Sequence, residues 1–361
     1  MAETTDAYRE LQEHLDRMPV GYPATKSGVE INLLKEIFTP EEAKLTTYLD
    51  YKHKAVDEIH KMAQKQVESK EQLEHILDQI VSKGGISRRE RNGKKQYAVI
   101  PLLLWGMFEH QLKRLTPEFL GNLGQYMQGE FANELANTKV PKTRVIPVEQ
   151  SIEVEHRIAT YDELRHIIEQ SGERITVQDC ICRKVSDMMG KQCQVTDRRE
   201  VCMTFGDQAD LYAKEGWGRR ISQEEAFEIA QKNEEEGLVL QPGNEQEPVF
   251  MCACCGDCCG VLGPMKSFPR PADIMVSNYF AQASTELCKG HGTCVKRCPM
   301  EAVKLADKVA SIDLGRCIGC GLCVPTCPEN AIKLAKKAKE IVPPGTEEDL
   351  NDAIMALKKT Q

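Results

Sequence analysis

The chain has 361 residues, 41% hydrophobic and 28% charged, with a net charge of −8. That length holds two or three domains with real cores, and the composition excludes a wholly disordered chain. The longest apolar run, about Tyr97 to Phe108, is broken by Pro101 and too short for a membrane span.

The opening MAETTDAYRE carries no secretory signal, so a cytoplasmic protein is expected, in a compartment that keeps thiols reduced. The acidic balance argues weakly against bulk nucleic-acid binding. All 16 cysteines lie between Cys180 and Cys327. In a reducing compartment such density points to metal or cluster binding, not to a disulfide framework.

The first domain, residues 1–147, is expected to be mostly helical. Thr39-Pro40-Glu41-Glu42 predicts a helix start, with Thr at the N-cap and Glu at the capping-box position. Ser69-Lys70-Glu71-Gln72 predicts a second capping box. The helix it opens carries Leu73, Ile76, Leu77, Ile80 and Val81 on one stripe and ends at Gly84-Gly85. Two strands, Ile86 to Arg89 and Gln96 to Ile100, flank Asn92-Gly93, a two-residue hairpin signal. More helix is expected from about Leu102 to Ala136, then an extended segment from Lys139 to Pro147. From about Gly28 to Pro101, the order of three helices and a hairpin resembles winged-helix domains. The would-be recognition helix exposes Glu71, Glu74 and Asp78, which suits a phosphate-lined groove badly. The wing carries Arg88, Arg89, Arg91, Lys94 and Lys95. Docking or dimerisation is therefore favoured over DNA contact.

Residues 148–284 predict an α/β, cysteine-rich central domain. Thr160 opens a helix to about Gln170. Ile175 to Val177 reads as a strand feeding the first cysteines. Ser222 opens a helix to about Glu236. Leu238 to Leu240 and Val249 to Met251 read as strands. The thiols fall in two groups: Cys180, Cys182, Cys193 and Cys202, then Cys252, Cys254, Cys255, Cys258 and Cys259. Zinc needs only four ligands, so at least one further Fe–S cluster with contributors from both groups is the preferred reading. Zinc and redox-active or buried thiols stay open as alternatives, and spacing does not choose the ligands. Arg183 and Lys184 follow the first pair, where positive charge would favour a reduced cluster. Arg219 and Arg220 read as solvated surface.

Residues 285–336 contain an internal repeat. A shift of 29 residues lays Cys288 on Cys317, Cys294 on Cys323, Cys298 on Cys327 and Pro299 on Pro328. The second copy, Cys317-x2-Cys320-x2-Cys323-x3-Cys327-Pro328, has the bacterial ferredoxin spacing for a [4Fe–4S] cluster. The first copy places His291 where the second has Cys320. A tail, residues 337–361, holds an amphipathic helix from Glu347 to Lys359.

The repeat resembles two-cluster ferredoxins of the clostridial kind. That resemblance implies that Cys317, Cys320, Cys323 and Cys298 hold one [4Fe–4S] cluster, and that Cys288, Cys294 and Cys327 hold three corners of another. At the fourth corner His291 ligates iron, or the corner is empty and the cluster is [3Fe–4S], or His291 points to solvent. The whole order over about residues 28–335 resembles cytoplasmic 4Fe–4S-binding, ferredoxin-type proteins of anaerobic bacteria and archaea. The implied architecture is a multidomain α+β protein ending in a two-cluster ferredoxin fold.

No dinucleotide fingerprint, phosphate loop or catalytic triad is present, so no catalytic residue is assigned. The expected function is single-electron transfer to or from a redox partner protein, with a second copy of the chain as a further docking partner. A redox-sensing, DNA-binding regulator and an oxidoreductase subunit with a substrate site in the central domain are the alternatives.

Overall fold

The computed structural model describes residues 2–100, 106–152 and 160–358. The chain forms two compact units: residues 1–140 with 351–361, and residues 141–350.

The first unit opens with α1 (Ala2–Asp16), α2 (Val29–Ile37) and α3 (Pro40–Thr46). Thr39 Oγ1 accepts from the Glu42 amide and Glu42 Oε2 accepts from the Thr39 amide, a complete capping box. Next come β1 (Lys54–Ala55), α4 (Val56–Ala63), α5 (Lys70–Ser82), β2 (Ile86–Arg91) and β3 (Lys94–Val99). Ser69 caps α5 by accepting from the Gln72 amide. The Gln72 side chain reaches back to the Glu68 amide instead of that of Ser69, so the predicted second box is only half formed. Leu73, Leu77, Ile80 and Val81 are buried on one face of α5. Asn92 (φ 53°) and Gly93 (φ 68°) both adopt the left-handed backbone that a tight two-residue hairpin needs. β1 pairs with the free edge of β3, giving the sheet order β1-β3-β2.

The hairpin's cations meet the carboxylates of α5. Lys95 Nζ lies 2.6 Å from both Glu74 and Asp78, and Arg88 lies 2.8 Å from Asp78. Tyr97 also donates to Asp78. Two of the wing's cations, Arg88 and Lys95, are thus paired with carboxylates of their own unit.

The helical stretch expected from Leu102 begins outside the described residues. Beyond it the chain makes a 3-10 turn at Glu109–Gln111, then α6 (Pro117–Met127) and α7 (Glu130–Asn137). One long helix is impossible because Pro117 is tolerated only in a first turn, where Thr116 caps it.

The second unit is built on a five-stranded antiparallel sheet. In chain order it contains α8 (Leu164–Gln170), β4 (Ile175–Asp179), α9 (Ile181–Met188), β5 (Glu200–Phe205), α10 (Gly206–Glu215), β6 (Arg219–Ile221), α11 (Gln223–Glu236), β7 (Val239–Pro242) and β8 (Phe250–Cys254). The sheet order is β6-β4-β5-β8-β7. Helix α8 begins at Leu164 and not at Thr160, because Asp162 is used elsewhere. Its carboxylate pairs with buried Arg144 at 3.3 Å and accepts from Asn278 at 3.0 Å.

Beyond α12 (Leu262–Met265), the cysteine repeat contributes β9 (Tyr279–Ala283), α13 (Thr293–Arg297), β10 (Val303–Ala306), β11 (Val309–Ile312) and β12 (Ile332–Lys336). β9 pairs with β12, and β10 with β11. The first of these strands starts six residues before the domain border expected at 285, because its pairing partner β12 lies at the far end of the repeat. The last helix, α14 (Glu347–Lys358), covers the predicted tail helix except Lys359, which lies outside the described residues. Among the described residues no helix is long and apolar enough to cross a membrane.

Candidate iron–sulfur and metal sites

The 29-residue repeat of the sequence is also a repeat of backbone conformation. Gly290 and Gly319 have φ of 74° and 71°, Gly292 and Gly321 of 74° and 76°, and Glu301 and Asn330 of 56° and 49°. A Cβ on Gly290 would strike the Lys308 carbonyl, and one on Gly319 would strike that of Tyr279, its counterpart in the other copy. Glycine is required at both because the loop must turn left-handed while pressed against a strand.

Backbone amides point at the sulfurs with the same symmetry. Ala302 donates to Cys298 Sγ at 3.2 Å and Ala331 to Cys327 Sγ at 3.3 Å. Ala310 of β11 donates to Cys288 Sγ at 3.3 Å, and Ala281 of β9 to Cys317 Sγ at 3.4 Å. The last two bonds cross between the copies, so a two-fold exchange relates them. Donors aimed at sulfur stabilise a thiolate.

Two thiol groups result. Cys317, Cys320 and Cys323 interact with one another and with Cys298. Cys294 interacts with Cys327 and Cys288. Burial, with neighbouring thiols adding, pushes Cys317, Cys320, Cys323 and Cys294 above the ordinary thiol range. Binding a metal ionises such thiols. His291 is half exposed, and its Nε2 lies 3.1 Å from Glu329 Oε1. That pair links the two copies and leaves Nδ1 as the nitrogen not engaged with Glu329.

In the central segment six thiols form a closed chain of neighbours: Cys202, Cys180, Cys182, Cys259, Cys254, Cys252 and back to Cys202. The sheet explains why. Cys180 ends β4 as the N-cap of α9, and Cys182 lies in the first turn. The β5–β8 register, Met203 opposite Met251, puts Cys202 opposite Cys252. Cys254 follows two residues on, on the same face. Cys259 accepts from the Val261 and Leu262 amides, each at 3.4 Å. Hydrogen bonds from the Cys182 and Cys202 thiols hold Cys180 well below the ordinary thiol value.

The other three central cysteines lie apart. Cys193, Cys255 and Cys258 gather with Asp257, their ligand atoms all within 4.8 Å of one another. Asp257 was not singled out in the sequence, although it stands between two adjacent cysteine pairs.

Between the two central groups lies Arg183. It is fully buried, with 0% exposure. Its Nη2 donates to the Ala253 carbonyl at 3.2 Å, while Nε and Nη1 have no acceptor. The acidic groups it interacts with most are the thiols of Cys180, Cys255, Cys193 and Cys202, and the Glu236 carboxylate also feels its charge. A permanently charged guanidinium buried among neutral thiols would be strongly unfavourable. It fits where those sulfurs are thiolates, which metal binding makes them. Arg219 and Arg220, by contrast, are exposed and paired with Glu200, Glu225 and Asp210.

The central loop and the repeat touch directly. A Cβ on Gly256 would lie 2.8 Å from the Pro299 carbonyl, next to Cys298. Arg316 donates to the carbonyls of Met300, Lys266 and Phe268 at 2.9, 3.0 and 3.2 Å, tying the two segments together.

A family model for a 4Fe-4S binding domain matches residues 310–333. That span takes in Cys317, Cys320, Cys323 and Cys327. The chain therefore carries a 4Fe–4S binding domain and, with its further cysteine clusters, is an iron–sulfur protein. Comparison with curated proteins and with solved structures gives no match.

Proposed function

We propose that the chain relays single electrons to or from a redox partner protein through two Fe–S clusters in the repeat and a further cluster in the six-thiol site. The observation that carries this reading is the two-fold set of amide-to-sulfur bonds, with β9 and β11 each serving the opposite copy. Cys317, Cys320, Cys323 and Cys298 hold one cluster; Cys288, Cys294 and Cys327 hold the other. A bound cluster supplies a site that takes up and releases one electron at a time. The chain's own residues set the ease of that change: amides stabilise thiolate charge, and burial excludes water.

His291 is the fourth ligand of the second cluster through Nδ1. Its Nε2 contact with Glu329 is the outer partner that a metal-bound histidine usually has. A neutral imidazole in place of a thiolate raises the potential of that cluster relative to its sister. The alternative for this corner is a [3Fe–4S] cluster. The contact of Gly256 with Pro299 supports a short route between the six-thiol site and Cys298.

The order α3, β1, α4, α5, β2, β3 supports a winged-helix reading of residues 28–101. The internal pairing of Lys95 and Arg88 supports docking or dimerisation there over DNA binding. The test is EPR with iron and sulfide counts on protein purified without oxygen, before and after dithionite. Three clusters per chain are expected, with Cys317→Ser and Cys252→Ser each perturbing a different reduced signal. Absence of any reversible one-electron signal refutes electron transfer.

A further inference from the structure

Cys193, Cys255, Cys258 and Asp257 are spaced for one ion, not for a cluster. Cys193 Sγ lies 3.8 Å from Cys255 Sγ, and Cys255 Sγ lies 3.4 Å from Cys258 Sγ. Asp257 Oδ1 lies 3.6 Å from Cys193 Sγ and 3.4 Å from Cys258 Sγ. Zinc–sulfur bonds of ~2.3 Å and zinc–oxygen bonds of ~2.0 Å make a tetrahedron with edges of about 3.8 Å between sulfurs and about 3.5 Å from sulfur to oxygen. A cubane instead carries each thiolate on a different iron and needs them spread apart. Among the described residues no other group of three or more Cys, His, Asp or Glu ligand atoms is as tight.

We propose that these four residues bind a single tetrahedral zinc ion, separate from the six-thiol site. The electron-transfer reading is not needed for this. The ligand set is closed, with three thiolates and one carboxylate, as in structural zinc sites. The Gln194 amide donates to Asp257 Oδ2 at 2.7 Å, leaving Oδ1 for the metal. Three thiolates and a carboxylate around a dication leave an excess of negative charge, and buried Arg183 beside Cys193 and Cys255 offsets part of it.

The ion's role follows from what it joins. Cys193 lies on the segment between α9 and β5, flanked in sequence by Cys182 and Cys202. Cys255 and Cys258 lie between Cys254 and Cys259. All four of those neighbours belong to the six-thiol ring. The zinc therefore staples the two strands of chain that carry the ring, with no redox change of its own.

The experiment is zinc, iron and sulfide analysis of the full chain purified without oxygen, with Cys193→Ser, Cys258→Ser and Asp257→Asn alongside. Wild type is expected to hold one zinc per chain, absent from both serine variants. Asp257→Asn, which keeps the side chain's size, should weaken zinc binding by about tenfold or more. Adding Co2+ to zinc-depleted protein should give the intense bands of a tetrahedral thiolate site, lost in Cys193→Ser. Iron and sulfide lost from either serine variant whose zinc content stays at the wild-type level would make these residues cluster ligands and overturn the proposal. So would a wild-type chain that takes up neither zinc nor Co2+. Iron, sulfide and EPR of the clusters are read separately, so failure here is distinguishable from failure of the electron-transfer reading.

Discussion

Replacing Arg183 by methionine should destabilise the metal-loaded protein far more than the metal-stripped one. The side chain is fully buried, and Nε and Nη1 have no acceptor. Its countercharge comes chiefly from the nearby thiols of Cys180, Cys255, Cys193 and Cys202, with the Glu236 carboxylate adding. With metal bound the thiols are thiolates, and removing the guanidinium leaves buried negative charge uncompensated. Breaking a buried pair in this way costs about 3–5 kcal/mol. With metal stripped most of these thiols are protonated, and Cys180, held low, remains the chief countercharge. Methionine has similar length and no charge, so the same substitution should then cost much less. The assay is urea unfolding without oxygen, followed by circular dichroism, on wild type and Arg183→Met before and after chelation. Cluster absorbance reports metal loss in parallel. Destabilisation of the same size in both states would mean that Arg183 acts by packing alone, and stabilisation of the loaded protein would refute the charge argument outright.

Gly319→Ala and Gly292→Ala share the left-handed backbone cost of about 1–2 kcal/mol. At Gly319 the new Cβ also strikes the Tyr279 carbonyl and lies 2.6 Å from Ser277 Oγ, whereas at Gly292 it only meets Leu305 at 3.5 Å. Gly319→Ala should therefore cost a further ~1–3 kcal/mol and lower iron content, measured by unfolding and metal analysis. His110 is buried, and burial lowers its pKa to about 3 from 6.5. Its contribution to stability is full above pH 6.5 and is lost as pH falls from there towards 3. His110→Gln should flatten that acid slope in unfolding measurements across pH. Glu245 runs the other way: burial, with Glu347 adding, raises it to about 7 from 4.5. Its contribution is present below pH 4.5 and lost as pH rises through 7, so Glu245→Gln should stabilise the protein above pH 7 and change little below pH 4.5. His291→Cys should lower the midpoint potential of one cluster and leave the other unchanged in a redox titration by EPR.

The cysteine repeat was legible without coordinates because cluster ligation is local: two- and three-residue gaps are the distance a short loop can wrap around a cubane, and a 29-residue repeat is visible by alignment alone. The capping box at Thr39 and the Asn92-Gly93 turn were equally plain, since each is made by residues within one turn of each other. What the chain order could not reveal was assigned by contacts across the sheet. No strand or helix was expected between Val177 and Ser222, yet β5 carries Cys202 to a place opposite Cys252. Spacing left nine central thiols undivided; tertiary packing parts them into a ring of six and a tight trio with Asp257. Arg183 is one charged residue among many in the sequence, and only its burial between thiols shows that it is a counterion. Local geometry is written in neighbouring residues, whereas distances between sulfurs on different strands depend on register and packing, which arise only when the chain folds.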